Sequence, residues 1–347
     1  MKKEDYIEFE KMMKNRPHLV ILGAGASVAT ILNGDANGRQ ISVMDGFIDK
    51  LNMKNLIEEV EINTDSDNLE DIYSELYERD DCKEVLETLE SRIYDYLLQF
   101  EIPSEPTIYD YLILSLRKKD VIATFNWDPL LLQAYKRVSR ITNELPELLF
   151  LHGNVYVGVC HEHKRGGFIG NRCPICGDLF EKTKLLFPVK NKDYDSDLLI
   201  KDHWNAIRYY MEKAFVVTIF GYSAPKTDKV AIDLLKNSWG EKEKRNFEEI
   251  EIIDIKDEKE LVETWNDFIH THHYQVCNSF FDSIIAQFPR RSCEAIFDRF
   301  FNLKWLDGRK GLKNDMNFED LNDYFDKILH DERIDQKILT TFGIVDD

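Results

Sequence analysis

A doubly wound α/β fold, with a parallel sheet covered by helices on both faces, is what the sequence predicts. Three observations predict it. Five short apolar runs are spread over the first three-quarters of the chain. Each ends in a turn signal. Most are followed by apolar residues at helical spacing, the rhythm of strands joined by crossover helices.

The first run, residues 18–22 (HLVIL), ends in Gly23-Ala24-Gly25-Ala26-Ser27. Small residues after a strand let backbone N–H groups approach a phosphate at a helix start. Val28 stands where the dinucleotide fingerprint has its third glycine, so a phosphate cradle and a ligand-free turn are equally open here. A polar loop at 33–39 leads into an acidic stretch, with 14 acids against two bases in residues 58–90. Val85, Leu86, Leu89, Ile93, Tyr96, Leu97 and Phe100 follow amphipathic helical spacing, so those acids read as a solvated face.

The second run, 121–125 (VIATF), leads into Asn126-Trp127-Asp128-Pro129, with helical spacing resuming at Leu131, Ala134, Tyr135 and Val138. Pro129 suits a first helical position, which makes helix capping the default work of Asp128. Asn126 has no such work, and an amide at a strand end points into the crevice. The third run, 148–151, ends at His152-Gly153, where the glycine is expected to leave the imidazole accessible. The fourth, 215–220 (FVVTIF), ends at Gly221-Tyr222-Ser223, and the fifth, 250–255 (IEIIDI), near Asp254 and Asp257. In such sheets ligands sit beyond the carboxyl ends of the strands, where these polar residues cluster. After residue 257 the pattern reads as helical only. Its faces are Leu261, Val262, Trp265, Phe268 and Ile269; then Phe280, Phe281, Ile284, Ile285 and Phe288; then Ile296, Phe297, Phe300 and Phe301. This aromatic tail completes the core or forms an oligomer interface, and the sequence leaves both open.

Of six cysteines, Cys82, Cys277 and Cys293 stand alone in helical patterns and read as core thiols. Cys160-His161-Glu162-His163 and Cys173-Pro174-Ile175-Cys176 form two ligand knuckles separated by a turn-rich loop, as in a zinc ribbon. Cys160, His163, Cys173 and Cys176 supply four donors for a tetrahedral, closed and therefore structural Zn2+ site. His161 is the competing donor, disfavoured because it adjoins Cys160.

The chain has 347 residues, 64 acids against 45 bases and a net charge of −19. That charge repels phosphate backbones and disfavours a stand-alone nucleic-acid binder, and the few bases near the knuckles do not reverse it. No apolar run reaches the ~18 residues of a membrane helix, and the charged start lacks a signal-peptide core, so a cytoplasmic protein is expected.

In their joint order these pieces resemble sirtuins from about residue 18 to residue 255. Gly23 to Ser27 is similar to that family's nucleotide loop, and Thr124-Phe125-Asn126-Trp127-Asp128 to its Thr-x-Asn-x-Asp segment. Leu151-His152-Gly153 is similar to the segment with the catalytic histidine, and Gly221-Tyr222-Ser223 to the Gly-Thr-Ser that contacts NAD. Two departures matter. The Ile-Pro-Asp-Phe-Arg stretch of the deacylases is missing, and the zinc set has one histidine where the family usually has four cysteines. The segment GYSAPKTD and the acidic insertion are similar to divergent bacterial sirtuin-like domains of anti-phage defence. Those domains hydrolyse NAD+, often beside a HerA-type ATPase or within larger assemblies.

The resemblance implies a Rossmann-like NAD-binding domain over 1–257, with a helical insertion at about 40–118 and a zinc module at about 156–183. A helical C-terminal region follows at 258–347. It implies an NAD+ hydrolase gated by assembly, with a homo-oligomer or a defence ATPase as partner. Asn126 would hold the ribose or the attacking water, and His152 would act as general base. Gly23, Ala24, Gly25 and Ser27 would cradle the pyrophosphate. Asp128, Gly221 and Ser223 join the cofactor set, with Asp254 towards the adenosine ribose. NAD-dependent deacylation or ADP-ribosyl transfer, and a non-catalytic assembly module, are the alternatives.

Overall fold

The computed structural model describes residues 12–347, except 14, 43, 45, 190–193, 195–196, 226–227, 242–244, 246–247, 267, 270–272, 301, 304, 307–310, 334–338, 341–342 and 345–347. Phe301 thus lies outside the described residues.

Six parallel strands form the central sheet: β1 (His18–Leu22), β2 (Val121–Thr124), β3 (Glu147–Phe150), β7 (Val216–Phe220), β8 (Glu249–Ile253) and β9 (Tyr274–Cys277). Their order is β3-β2-β1-β7-β8-β9. The chain therefore winds outward one way from β1 and then the other way from β7, which puts the topological switch point between those two strands. The five expected strands are present within a residue or so of their expected ends. The sixth corrects the reading that only helices follow residue 257. Its four residues, YQVC, carry no apolar run and are mostly half-buried at the sheet edge, so the sequence holds little strand signal there. Cys277 accordingly sits on a strand, not a helix.

Between and after the strands run α1 (Ala24–Thr30), α2 (Phe47–Lys50), α3 (Lys54–Glu59), α4 (Leu69–Tyr77), α5 (Lys83–Leu98), α6 (Ile108–Leu114), α7 (Leu130–Val138), α8 (Leu198–Lys213), α9 (Lys229–Trp239), α10 (Glu258–Thr264), α11 (Ile284–Gln287), α12 (Ser292–Phe300) and α13 (Phe318–Arg333). Local chemistry sets several starts. Thr107 and Asp110 form a capping box at α6, and Asn68 and Asp197 accept amide bonds at the starts of α4 and α8.

Alternation along β1 divides the core. Leu19 and Ile21 face Trp204 of α8, Trp239 of α9 and Trp265. Val20 and Leu22 face α6, α7 and the C-terminal helices, where Phe280, Ile284, Ile285, Ile296 and Phe325 join the same cluster. The aromatic tail is thus built into the core of the sheet. Helices α2 to α5 share a further apolar cluster with Trp127, Val155 and Leu185, which fixes the insertion over the strand ends. A three-stranded antiparallel sheet, β4 (Val157–Cys160), β5 (Arg165–Phe168) and β6 (Glu181–Lys182), makes the small cysteine-bearing module.

Candidate active site at the strand ends

The carboxyl ends of β1, β2, β3, β7 and β8 open into one cavity of about 720 Å³, and the helical insertion supplies part of its wall through Met44, Phe47, Asn68 and Glu70. That volume suits a dinucleotide-sized ligand.

Glycines build its floor. The Gly23 amide donates to the Phe220 carbonyl at 3.0 Å and the Gly25 amide to the Gly221 carbonyl at 2.9 Å. A Cβ on Gly23 would stand 2.5 Å from the Gly221 oxygen, and one on Gly221 (φ +58°) 2.4 Å from the Ala26 nitrogen. The turns after β1 and β7 therefore touch backbone to backbone at the switch point, which only glycine permits.

Asn126 is held from three sides. Its amide N–H donates to Thr124 Oγ1 at 3.0 Å, and Nδ2 donates to the Gly23 carbonyl at 2.7 Å and to Ser27 Oγ at 2.9 Å. A carbonyl only accepts, so the nitrogen must face Gly23 and Oδ1 is turned the other way. Ser27 in turn donates to Asp128 Oδ2 at 2.6 Å, and its oxygen also lies 2.8 Å from the Tyr109 hydroxyl. The Ser27 hydroxyl is thus spent on holding Asn126. Asp128 Oδ1 accepts from the Leu130 amide at 3.0 Å, the expected capping bond, although Pro129 occupies the cap position and not the first helical one. Burial raises the Asp128 carboxyl above its ordinary range, against the hydrogen bonds from Ser27 and Leu130.

His152 lines the same cavity but is only 5% exposed, which corrects the expectation of an accessible ring. Gly153 (φ +80°) packs against the Lys184 carbonyl and opens nothing, because a Cβ there would stand 2.3 Å from it. The Phe125 ring meets the imidazole edge-on at 4.7 Å, with Tyr194 stacked at 6.4 Å. Asp228 Oδ1 lies 3.8 Å from His152 Nε2, and Asp228 Oδ2 accepts from the Tyr222 hydroxyl at 2.8 Å.

All ten residues expected at the cleft line this one cavity: Gly23, Ala24, Gly25, Ser27, Asn126, Asp128, His152, Gly221, Ser223 and Asp254. Three residues of the cluster were not foreseen. Tyr109 is buried inside α6 with no sequence signal beyond its capping box. Tyr222 was read only as part of a glycine-serine turn. Asp228 lies eight residues past its strand, beyond the reach of a strand-end argument.

In the small module, Cys160 Sγ is 3.5 Å from His163 Nδ1 and 3.7 Å from Cys176 Sγ, and Cys173 Sγ is 3.8 Å from His163 Nδ1. All four donor atoms lie within 4.8 Å of one another. A tetrahedron with metal–sulfur bonds of ~2.3 Å has edges of about 3.8 Å, so the set fits a zinc ion. His161 is outside it, exposed, with Nε2 3.6 Å from Glu181.

No protein-family model matches the chain, and no curated protein matches it either. Among solved structures it is similar to a Sir2 homologue in complex with ADP-ribose. That match has 13% identity and a TM-score of 0.39, covering 88% of this chain and 100% of that one. A structure described as the basis for the mechanism and regulation of Sir2 enzymes matches at 15% identity and a TM-score of 0.38, covering 87% and 99%. A Sir2 mutant with deacetylated p53 peptide and 3'-O-acetyl-ADP-ribose matches at 14% and 0.37, covering 80% and 94%.

Proposed function

We propose that the strand-end cavity binds NAD+ and cleaves its nicotinamide–ribose bond with water as acceptor. The observation that carries this is the meeting of a pinned carboxamide and an imidazole in one cavity, at the switch point of a doubly wound sheet and beside a glycine turn. Cleavage leaves the glycosidic electron pair on nicotinamide and a cation-like ribose, which water traps as its proton passes to a base. Oδ1 of Asn126, held by Nδ2's bonds to Gly23 and Ser27, is the acceptor that orients the water or a ribose hydroxyl. His152 takes the proton. The glycine turn, whose Gly23 and Gly25 amides are already bonded to the Phe220 and Gly221 carbonyls, serves the pyrophosphate by leaving room for its approach beside Ala24; Gly221 and Ser223 receive the ribose-phosphate, and Asp254 the adenosine ribose. Ser27 and Asp128 act by holding Asn126. Cys160, His163, Cys173 and Cys176 hold a structural zinc that takes no part in the chemistry.

The sequence resemblance extends this to an anti-phage effector that depletes NAD+ once a trigger, a homo-oligomer or a HerA-type ATPase switches it on. The test is NAD+ turnover by the full chain, alone and with its genomic neighbour, resolved into nicotinamide and ADP-ribose. Asn126→Ala and His152→Ala should each lose ~10²–10⁴-fold, with melting temperatures near the parent's. Undiminished turnover in both variants overturns the assignment. An acetyl-ADP-ribose product that requires an acylated peptide replaces hydrolysis with deacylation.

A further inference from the structure

Capping explains the carboxylate of Asp128 but not that of Asp228. Asp228 stands at the cap position of α9, yet its side chain makes no capping bond. It is 4% exposed, its backbone is tied into the preceding turn by an amide bond to the Pro225 carbonyl, and its side chain is aimed at the cavity end that holds His152. Burying a carboxylate is costly unless its partners repay it. Its partners include the Tyr222 hydroxyl on Oδ2 at 2.8 Å and the His152 imidazole facing Oδ1 at 3.8 Å. Aromatic packing fixes the geometry: Tyr222 stacks on Phe125 at 4.3 Å, and Phe125 presses edge-on against His152.

Resting on the function proposed for this cavity, we infer that Asp228 is a positioning residue for His152. Its carboxylate keeps the imidazole proton on Nε2, leaves Nδ1 as the basic nitrogen, and stabilises the imidazolium formed when Nδ1 takes the proton of the attacking water. A carboxylate can only accept, so the nitrogen facing it is the one that carries hydrogen. The 3.8 Å separation exceeds hydrogen-bond length and still places the two groups in ion-pair range. The phenols of Tyr222 and Tyr194 also face this end, and burial raises both, so they stay protonated at neutral pH. Asp128 and Glu70 supply further carboxylates on the cavity wall.

The experiment uses the full chain with isotope-labelled histidine. The His152 resonance is identified by its loss in His152→Ala and followed by NMR against pH, in parallel with the pH profile of kcat/KM for NAD+ cleavage. In Asp228→Asn the His152 midpoint should fall by about one pH unit. The acid limb of kcat/KM should follow it, and kcat should drop ~10–100-fold, less than on deleting the base, with NAD+ affinity nearly unchanged. An unmoved His152 midpoint overturns the inference. Should Asp228→Asn fail to fold, Tyr222→Phe tests the same coupling with the opposite sign: without the phenol the carboxylate is less neutralised and the midpoint should rise, and an unmoved midpoint there is equally fatal. A parent protein that cleaves no NAD+ under any condition sinks the proposed function, while the titration still decides the role of Asp228.

Discussion

Two buried polar clusters lie on the same sheet, and they differ in what they face. At the carboxyl ends, Asn126, Asp128, Ser27, His152 and Asp228 border a cavity. Beneath the C-terminal helices, a second cluster crosses the strands in sealed protein. His18 Nδ1 meets Ser292 Oγ and Nε2 meets Thr218 Oγ1, each at 2.7 Å. Thr218 donates to Glu251 Oε2 at 2.9 Å, and Glu251 Oε1 accepts from the Ile284 amide at 2.7 Å. If Thr218 gives its proton to Glu251, its oxygen receives from His18, which fixes the neutral Nε2–H tautomer. Burial agrees, since it holds the His18 ring down to about 4. Nearby, Arg290 donates to the Leu116 carbonyl at 2.7 Å and to Glu332 of α13 at 2.7 Å, anchoring that helix to the segment before β2. The same residue types thus serve two ends. Where a cluster borders a cavity, its spare atoms are available for chemistry; where it is sealed, every atom of the chain just traced is spent on holding elements together.

Three perturbations would break or sharpen that contrast. The largest is Arg290→Ala, which takes the donor from the Leu114, Leu116 and Glu144 carbonyls and leaves the half-buried Glu332 to Arg291 alone. A buried acceptor left without its donor costs about 1–3 kcal/mol, so with several of them the melting temperature should fall by more than ~5 °C. A calorimetric scan matching the parent's would erase the distinction between sealed and open clusters.

Next comes Glu251. Burial raises both Glu251 and Glu249 to about 7. The native state therefore holds protons that the unfolded chain releases near pH 4.5, so this contribution is complete at low pH and is lost as pH rises towards 7. His18, held down to about 4, opposes it below pH 6.5. Two glutamates against one histidine leave a net fall. Glu251→Gln should remove on the order of 1–3 kcal/mol of that pH dependence in urea titrations from about pH 4.5 to 7.5. An unchanged slope would mean that the cluster is wetter than its packing indicates.

The smallest effect on the cleft is expected from Cys176→Ser or chelation. Either should release one zinc per chain, counted by native mass spectrometry. NAD+ affinity should change by less than about 1 kcal/mol, because distant sites act additively. A larger loss measured by calorimetry would tie the module to the cleft.

Much of this was legible in the sequence, for physical reasons. A strand buried on both faces is an unbroken apolar run, so HLVIL and FVVTIF announce themselves. Metal knuckles are local in sequence, so Cys160, His163, Cys173 and Cys176 could be read together. Strand β9 was missed because an edge strand needs no apolar run, and YQVC offers none. Exposure of His152 was misjudged because the packing of Phe125 and Tyr194 around it is a tertiary fact with no local trace. Asp228 was passed over because the imidazole it faces lies on another strand's loop, far earlier in the chain.

The C-terminal helices carry a consequence for handling the molecule. They fill the groove beneath Val20, Leu22 and Val216, so a fragment ending at residue 257 would bare a greasy plane the width of the sheet and clump. Truncation cannot isolate the half that carries the strand-end cavity for crystallography or screening; expression trials should keep the chain whole and place tags where they leave α13 undisturbed.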